Sequence, residues 1–78
     1  MRKKPNSLQL LGERIRSLRK EKGLTQEGLA HKSEIDRSYI GGVERGQRNL
    51  SFTKLCEIAH SLDCDVAELT GNIPARDQ

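Results

Sequence analysis

The stretch that most constrains this chain is Thr25 to Asn49, TQEGLAHKSEIDRSYIGGVERGQRN. Thr25 offers a hydroxyl to cap orphan backbone donors, and Gln26, Glu27, Leu29, Ala30 and Lys32 continue from it as a short helix. Polar Ser33 and Glu34 are expected to end that helix. Ile35 then fills a turn from inside, Asp36 stands as the cap of a second helix, and Arg37, Ser38, Tyr39, Ile40 and Val43 carry it to a stop at Gly46. Counted from Gln26 as the first position of a twenty-residue unit, Leu29 and Ala30 fall fourth and fifth, Ile35 tenth, Ile40 fifteenth and Val43 eighteenth. Two helices crossing steeply over a short turn need a small side chain at the crossing, here Ala30. They also need inward hydrophobes on both, here Leu29, Ile40 and Val43. The outward face of the second helix is then Arg37, Ser38, Gly41, Gly42 and Arg45, a surface suited to something flat and anionic.

Other helices are expected on both sides of this pair. From Leu8 to Lys22, Leu11, Ile15 and Leu18 recur at helical spacing, with Gly23 as a left-handed stop after a cationic last turn. After the loop Gly46-Gln47-Arg48-Asn49-Leu50, Ser51 is the expected cap of a fourth helix. Phe52, Leu55, Cys56, Ile58, Ala59 and Leu62 give that helix a broad apolar stripe. Asp63 and Cys64 break it. Asp65 and Glu68 are spaced as a capping box for a short fifth helix that carries Val66 and Leu69 and ends near Gly71. Residues 1–7 are expected to be a flexible basic arm or a frayed terminus, 8–71 the folded domain, and 72–78 a loose tail except where Ile73 finds a surface.

Seventy-eight residues suffice for one small domain, and a hydrophobic fraction of 33% with a single Phe, a single Tyr and no Trp implies an aliphatic core. No apolar run approaches membrane-spanning length, and the Met-Arg-Lys-Lys start leads into Pro and polar residues, so an intracellular, cytoplasmic protein without a membrane role is expected. Charge is uneven. Residues 1–54 hold thirteen Lys and Arg against six acidic residues, whereas 55–78 hold one against five. The basic body attracts phosphate by counterion release, and the acidic end suits protein contact. Cys56, His60 and Cys64 are spaced C-x3-H-x3-C, but three ligands leave a structural zinc site incomplete, and Cys56 falls in an apolar stripe where a free thiol packs as a small hydrophobe. No metal and no cofactor are expected. His31 is read as a surface residue.

Five short helices with a helix-turn-helix at the second and third resemble the Cro/repressor-like, or XRE-type, family of DNA-binding regulators. The resemblance runs from about Leu11 to Leu69. It is carried by IRSLRKEKGLTQ at 15–26, LA at 29–30, IDRSYIGGVERGQRNLS at 35–51 and LCEIAHSLD at 55–63. Within the family, DRSYI followed by VERGQRN is especially similar to the controller proteins of restriction-modification systems. The resemblance implies an all-α, five-helix, lambda-repressor-like domain that binds a roughly palindromic double-stranded DNA operator as a homodimer and regulates transcription. It places Gln26 on a phosphate, Arg37 and Ser38 in the major groove, and Arg48 on a base or the backbone. Arg45, Asn49 and Ser51 are assigned to phosphates; Tyr39 has two readings, a phosphate contact or half-buried packing against the first helix. Arg19 and Glu44 are expected to form a structural ion pair beneath the third helix. Leu62, Val66, Leu69 and Ile73 are the expected dimer contact.

Three positions depart from the family pattern. Glu34 stands where the turn usually has Gly or Asn, Gly28 replaces a better helix former, and Gly41-Gly42 interrupts the third helix. The glycine pair either lets the backbone approach the bases or shifts reading onto Arg37 and Arg48. An exposed Glu27 has two readings, a contact to RNA polymerase or a charge favouring the helix's amino end. The competing readings are an antitoxin-like protein-interaction module, which the short tail disfavours, and a small metal-binding protein. An enzyme is disfavoured by the lack of a nucleophile and base pair or a phosphate-binding Gly loop.

Overall fold

The computed structural model describes residues 6–75. They form five helices and no strand: α1 (Ser7–Glu21), α2 (Gln26–Ser33), α3 (Arg37–Glu44), α4 (Phe52–Ser61) and α5 (Val66–Thr70). Arg2, Lys3 and Lys4 of the expected arm, and 76–78 of the expected tail, lie outside the described residues.

Caps set the boundaries. Asn6 Oδ1 accepts from the amides of Leu8 (3.0 Å) and Gln9 (3.2 Å), so α1 starts at Ser7, inside the segment expected to be an arm. It ends at Glu21, with Lys22 as the cap and Gly23 left-handed at φ +75°. Thr25 Oγ1 accepts from Gly28 N (2.9 Å) and Ser51 Oγ from Lys54 N (3.1 Å), opening α2 and α4. In the turn, Glu34 takes the left-handed conformation itself, φ 58° and ψ 35°, and its amide donates back to the carbonyls of the last turn of α2. The turn therefore keeps its shape without Gly, at the conformational cost that a side chain pays in this region. Glu68 Oε1 accepts from Asp65 N (3.3 Å) at the start of α5. At its end, Gly71 is in a polyproline-like conformation and the left-handed residue is Asn72, one position beyond the expected stop.

The core lies between α1, the helix pair and α4. Ile15, Leu29, Ile40, Ile58, Leu62 and Leu69 are completely buried, and Ala30, Ile35, Val43, Leu55 and Ala59 complete the cluster. Ser33, expected only as a polar end, is buried too; its hydroxyl donates to Leu29 O (2.8 Å). Two expectations are corrected here. Phe52 does not join the stripe of α4: it is 70% exposed at the first position of the helix, while Leu50, just before the cap, packs against the core instead. Leu62 and Leu69, expected at a dimer contact, have no exposed surface. Short α5 folds back onto α1 and α4, where the Arg14 guanidinium reaches the carbonyls of Glu68 (3.3 Å) and Leu69 (3.4 Å), turning Leu69 inward. Val66 and Ile73 remain half-buried.

Among the described residues no three His, Cys, Asp or Glu side chains gather as metal ligands. Cys56 and Cys64 are free thiols, and burial, with Glu68 nearby, pushes the Cys64 thiol up. No helix of the described residues is long and apolar enough to cross a membrane.

Candidate nucleic-acid interface

α3 is held from beneath by a buried polar cluster. Arg19 Nε donates to Glu44 Oε2 (2.6 Å) and Nη2 to Oε1 (3.0 Å), a two-point fork, while Nη1 donates to Leu24 O (2.8 Å). Both side chains are almost fully buried, and among the described residues no buried side-chain polar atom lacks a partner. Full satisfaction is what makes a buried pair tolerable, since each ion loses several kcal/mol of solvation. The approach of α1 to α3 depends on Gly12. A Cβ there would stand 2.4 Å from Val43 O and 2.7 Å from Glu44 O, so the helices touch backbone to backbone beside the ion pair.

Gln26, expected on a phosphate through its amide, also joins this cluster. Its Nε2 donates to Glu44 Oε1 (3.0 Å), which engages the amide nitrogen within the protein. Residues at the opening of α2 therefore meet the buried pair and the outer surface at one side chain.

The opposite side of α3 is open. Arg37, Ser38 and Arg45 are exposed, as are Arg48 and Asn49 in the loop and Ser51 at the next cap. Gly41 and Gly42, for which close backbone approach was one of two expectations and a shift of reading onto Arg37 and Arg48 the other, are covered. A Cβ at Gly41 would meet Arg45 Nη1 at 3.1 Å and Gln26 Oε1 at 3.5 Å; one at Gly42 would meet Arg48 Cγ at 3.1 Å and Nε at 3.3 Å. The two arginines thus lie along the helix in the space of the missing side chains. Arg45 Nε also donates to Gln47 Oε1 (3.1 Å), and the Arg48 guanidinium sits 5.2 Å from the centre of the Tyr39 ring. Lys54 sits 5.5 Å from the same ring. Tyr39 is half-buried against the core and serves as the platform for both cations.

At the amino end of α3, Asp36 Oδ2 accepts from the Ser38 amide (3.1 Å) and from the Ser38 hydroxyl. That hydroxyl bond, ahead of the amides of Ser38 and Tyr39 and the charge of Arg37, holds the Asp36 carboxyl below its ordinary value. Ser51 Oγ is used as an acceptor at its cap, leaving its hydroxyl proton available outward.

The structure thus gathers Arg37, Ser38, Arg45 and Arg48 on and beside one helix, with Asn49 and Ser51 in the loop and cap that follow. Donors predominate, as recognition of phosphates and guanine edges requires. Sequence reasoning missed Gly12, the Lys54 contact to Tyr39 and the Ser38 bond to Asp36. Only the last left a signal, a hydroxyl two residues after an acidic cap.

A model of the family described as Helix-turn-helix matches residues 15–69. The crystal structure of the restriction-modification controller protein C.AhdI from Aeromonas hydrophila superposes with a TM-score of 0.78 at 53% identity, covering 80% of this chain and 94% of that one. Control protein C.SmaI of Serratia marcescens is 41% identical over 61 residues, 78% of this chain and 73% of its own length. The structure of SinR, a master regulator for biofilm formation solved in complex with DNA, gives a TM-score of 0.73 at 37% identity, covering 76% of this chain and 95% of that one. This chain spans 42% of the length of the immunity repressor protein of Bacillus phage phi105 and 88% of that of the regulator YazB of Bacillus subtilis.

Proposed function

This chain belongs to the XRE-type helix-turn-helix family, and from that premise we propose that it is a sequence-specific, double-stranded-DNA-binding transcription regulator, a homodimer on a roughly palindromic operator, of the kind that controls restriction-modification genes. The observation that carries this reading is the outer face of α3. Arg37, Ser38 and Arg45 are exposed there, and Arg48 lies beside them on the Tyr39 platform, over a helix whose inner face is fixed by Arg19 and Glu44.

In this reading α3 enters the major groove, with Arg37 forking onto guanine O6 and N7 and Arg48 as the second base contact. Arg45, Asn49, Ser51 and the amino end of α2 hold phosphates, with Gln26 as part of that end and Tyr39 as support. Two-fold symmetry places the two α3 helices about one DNA turn, roughly 34 Å, apart. With Leu62 and Leu69 committed to the core, the pairing surface is built from the half-buried Val66 and Ile73 and their neighbours at the acidic end.

The test is binding of the purified protein to the DNA upstream of its own gene, with random DNA as competitor, at two salt concentrations. Protection of two half-sites one turn apart, with a steep salt slope, is expected. Equal binding to both DNAs would overturn the sequence-specific reading. Arg37→Ala is expected to relax preference at one base pair by about 1–3 kcal/mol while leaving binding to random DNA less affected.

A further inference from the structure

A serine in the major groove is ordinarily ambiguous, because its hydroxyl gives one hydrogen bond and takes two. It can therefore serve several bases. Ser38 is not in that position. Its only proton is directed at Asp36 Oδ2, and its own amide donates to the same oxygen. A hydroxyl bonded to a carboxylate is charge-assisted and stronger than one bonded to a base carbonyl, so turning the proton toward DNA would exchange a good acceptor for a poorer one. It would also leave the Asp36 carboxylate facing an anionic duplex with one fewer donor. What Ser38 presents outward are lone pairs.

We propose that Ser38 reads an exocyclic amino group in the major groove, cytosine N4 or adenine N6, because Asp36 holds its one hydroxyl proton and leaves it able only to accept. The inference rests on the operator-binding reading above. Asp36 acts through Ser38 as a positioning residue, and its exposed carboxylate works in the same sense. Two acceptors at one corner of α3 favour a base edge that donates and disfavour guanine O6, N7 and thymine O4. Arg37, the residue between them, has only donors and makes the opposite demand. Adjacent residues of one helix end thus ask for opposite chemistry.

The experiment compares the wild type with Ser38→Ala, after checking that both are fully folded, with the same helical content, at the assay temperature. Each protein first selects sites from a random DNA pool, which identifies the base pair where the variant loses preference. That pair is then rebuilt in two ways: without the amino group, using 2-pyrimidinone for cytosine or purine for adenine, and without the purine N7, using the 7-deaza base. The wild type is expected to lose about threefold to tenfold in affinity on amino deletion and the variant nothing beyond the common effect of a weakened pair. Deletion of N7 is expected to affect both alike. Equal losses on amino deletion, a Ser38-dependent loss on N7 deletion, or no position at which the variant differs would each overturn the proposal while leaving the operator intact. If neither protein prefers any sequence, the operator reading itself has failed and this inference with it.

Discussion

The two faces of α3 are built on opposite terms from the same eight residues. Inward, Ile40, Val43 and Glu44 are buried, Gly12 brings a neighbouring backbone into contact, and Arg19 places three hydrogen bonds within one cluster. Outward, Arg37, Ser38 and Arg45 are exposed, and each arginine that covers a glycine is held by a few light contacts. The inner face has one arrangement because backbone atoms meet there and neither can yield. The outer face is ordered only as far as side-chain ends order one another, and this leaves it free to adapt to a partner. Substitutions inside should therefore be felt as stability, and those outside as binding.

The largest effect expected is on the inner face. Arg19→Ala strands a buried carboxylate and should cost about 3–5 kcal/mol in chemical denaturation, although Gln26 still donates to it. An unchanged melting temperature would show that the pair does not hold α3. Leu69→Ala should cost about 2–5 kcal/mol as a core truncation, seen in the same melts, and not act by separating a dimer. Loss of dimer on sedimentation with unchanged monomer stability would place Leu69 back on the surface.

Gly12→Ala adds one methyl against the Val43 and Glu44 carbonyls and should destabilise by about 1–3 kcal/mol as α1 is pushed from α3. Gly41→Ala is the mirror case. Its Cβ meets the movable end of Arg45, so the helix should gain up to about 1 kcal/mol in thermal stability while operator affinity falls with the displaced guanidinium. Titration of operator DNA decides this, and a variant both more stable and equally tight would mean that Arg45 does not need its seat.

The smallest effect concerns Asp36. Its folded pKa is lowered, so its contribution to stability is complete above the ordinary carboxylate value and fades as the pH falls through the lowered one. Ser38→Ala removes the leading cause and should return the Asp36 titration, followed by carboxyl NMR, toward its ordinary value and shrink that acid-dependent loss. An unmoved titration would show that Ser38 does not engage the carboxylate.

Much of the fold was legible because its signals are local. Thr25, Asp36 and Ser51 cap helices through their own side chains, Gly23 turns left where one is needed, and apolar residues at helical spacing find the core. Phe52 misled because the periodicity of a helix marks a direction without saying where the core ends. Leu62 and Leu69 misled because an apolar residue at the end of a chain suits a partner or a core equally well.

The five helices, the position of the turn, the uneven charge and the set of basic residues beside α3 are legible along the chain, because each depends on neighbours a few residues away. Long-range packing made Gly12 a contact point, turned Gln26 to Glu44, folded α5 back to bury Leu69, and laid Arg45 and Arg48 over Gly41 and Gly42. Most of these are meetings between distant segments, and even at Gly41 the space for a side chain is bounded by Gln26 from α2 as well as by Arg45. Their energies come from close approach and mutual exclusion of water, which no spacing along the chain encodes.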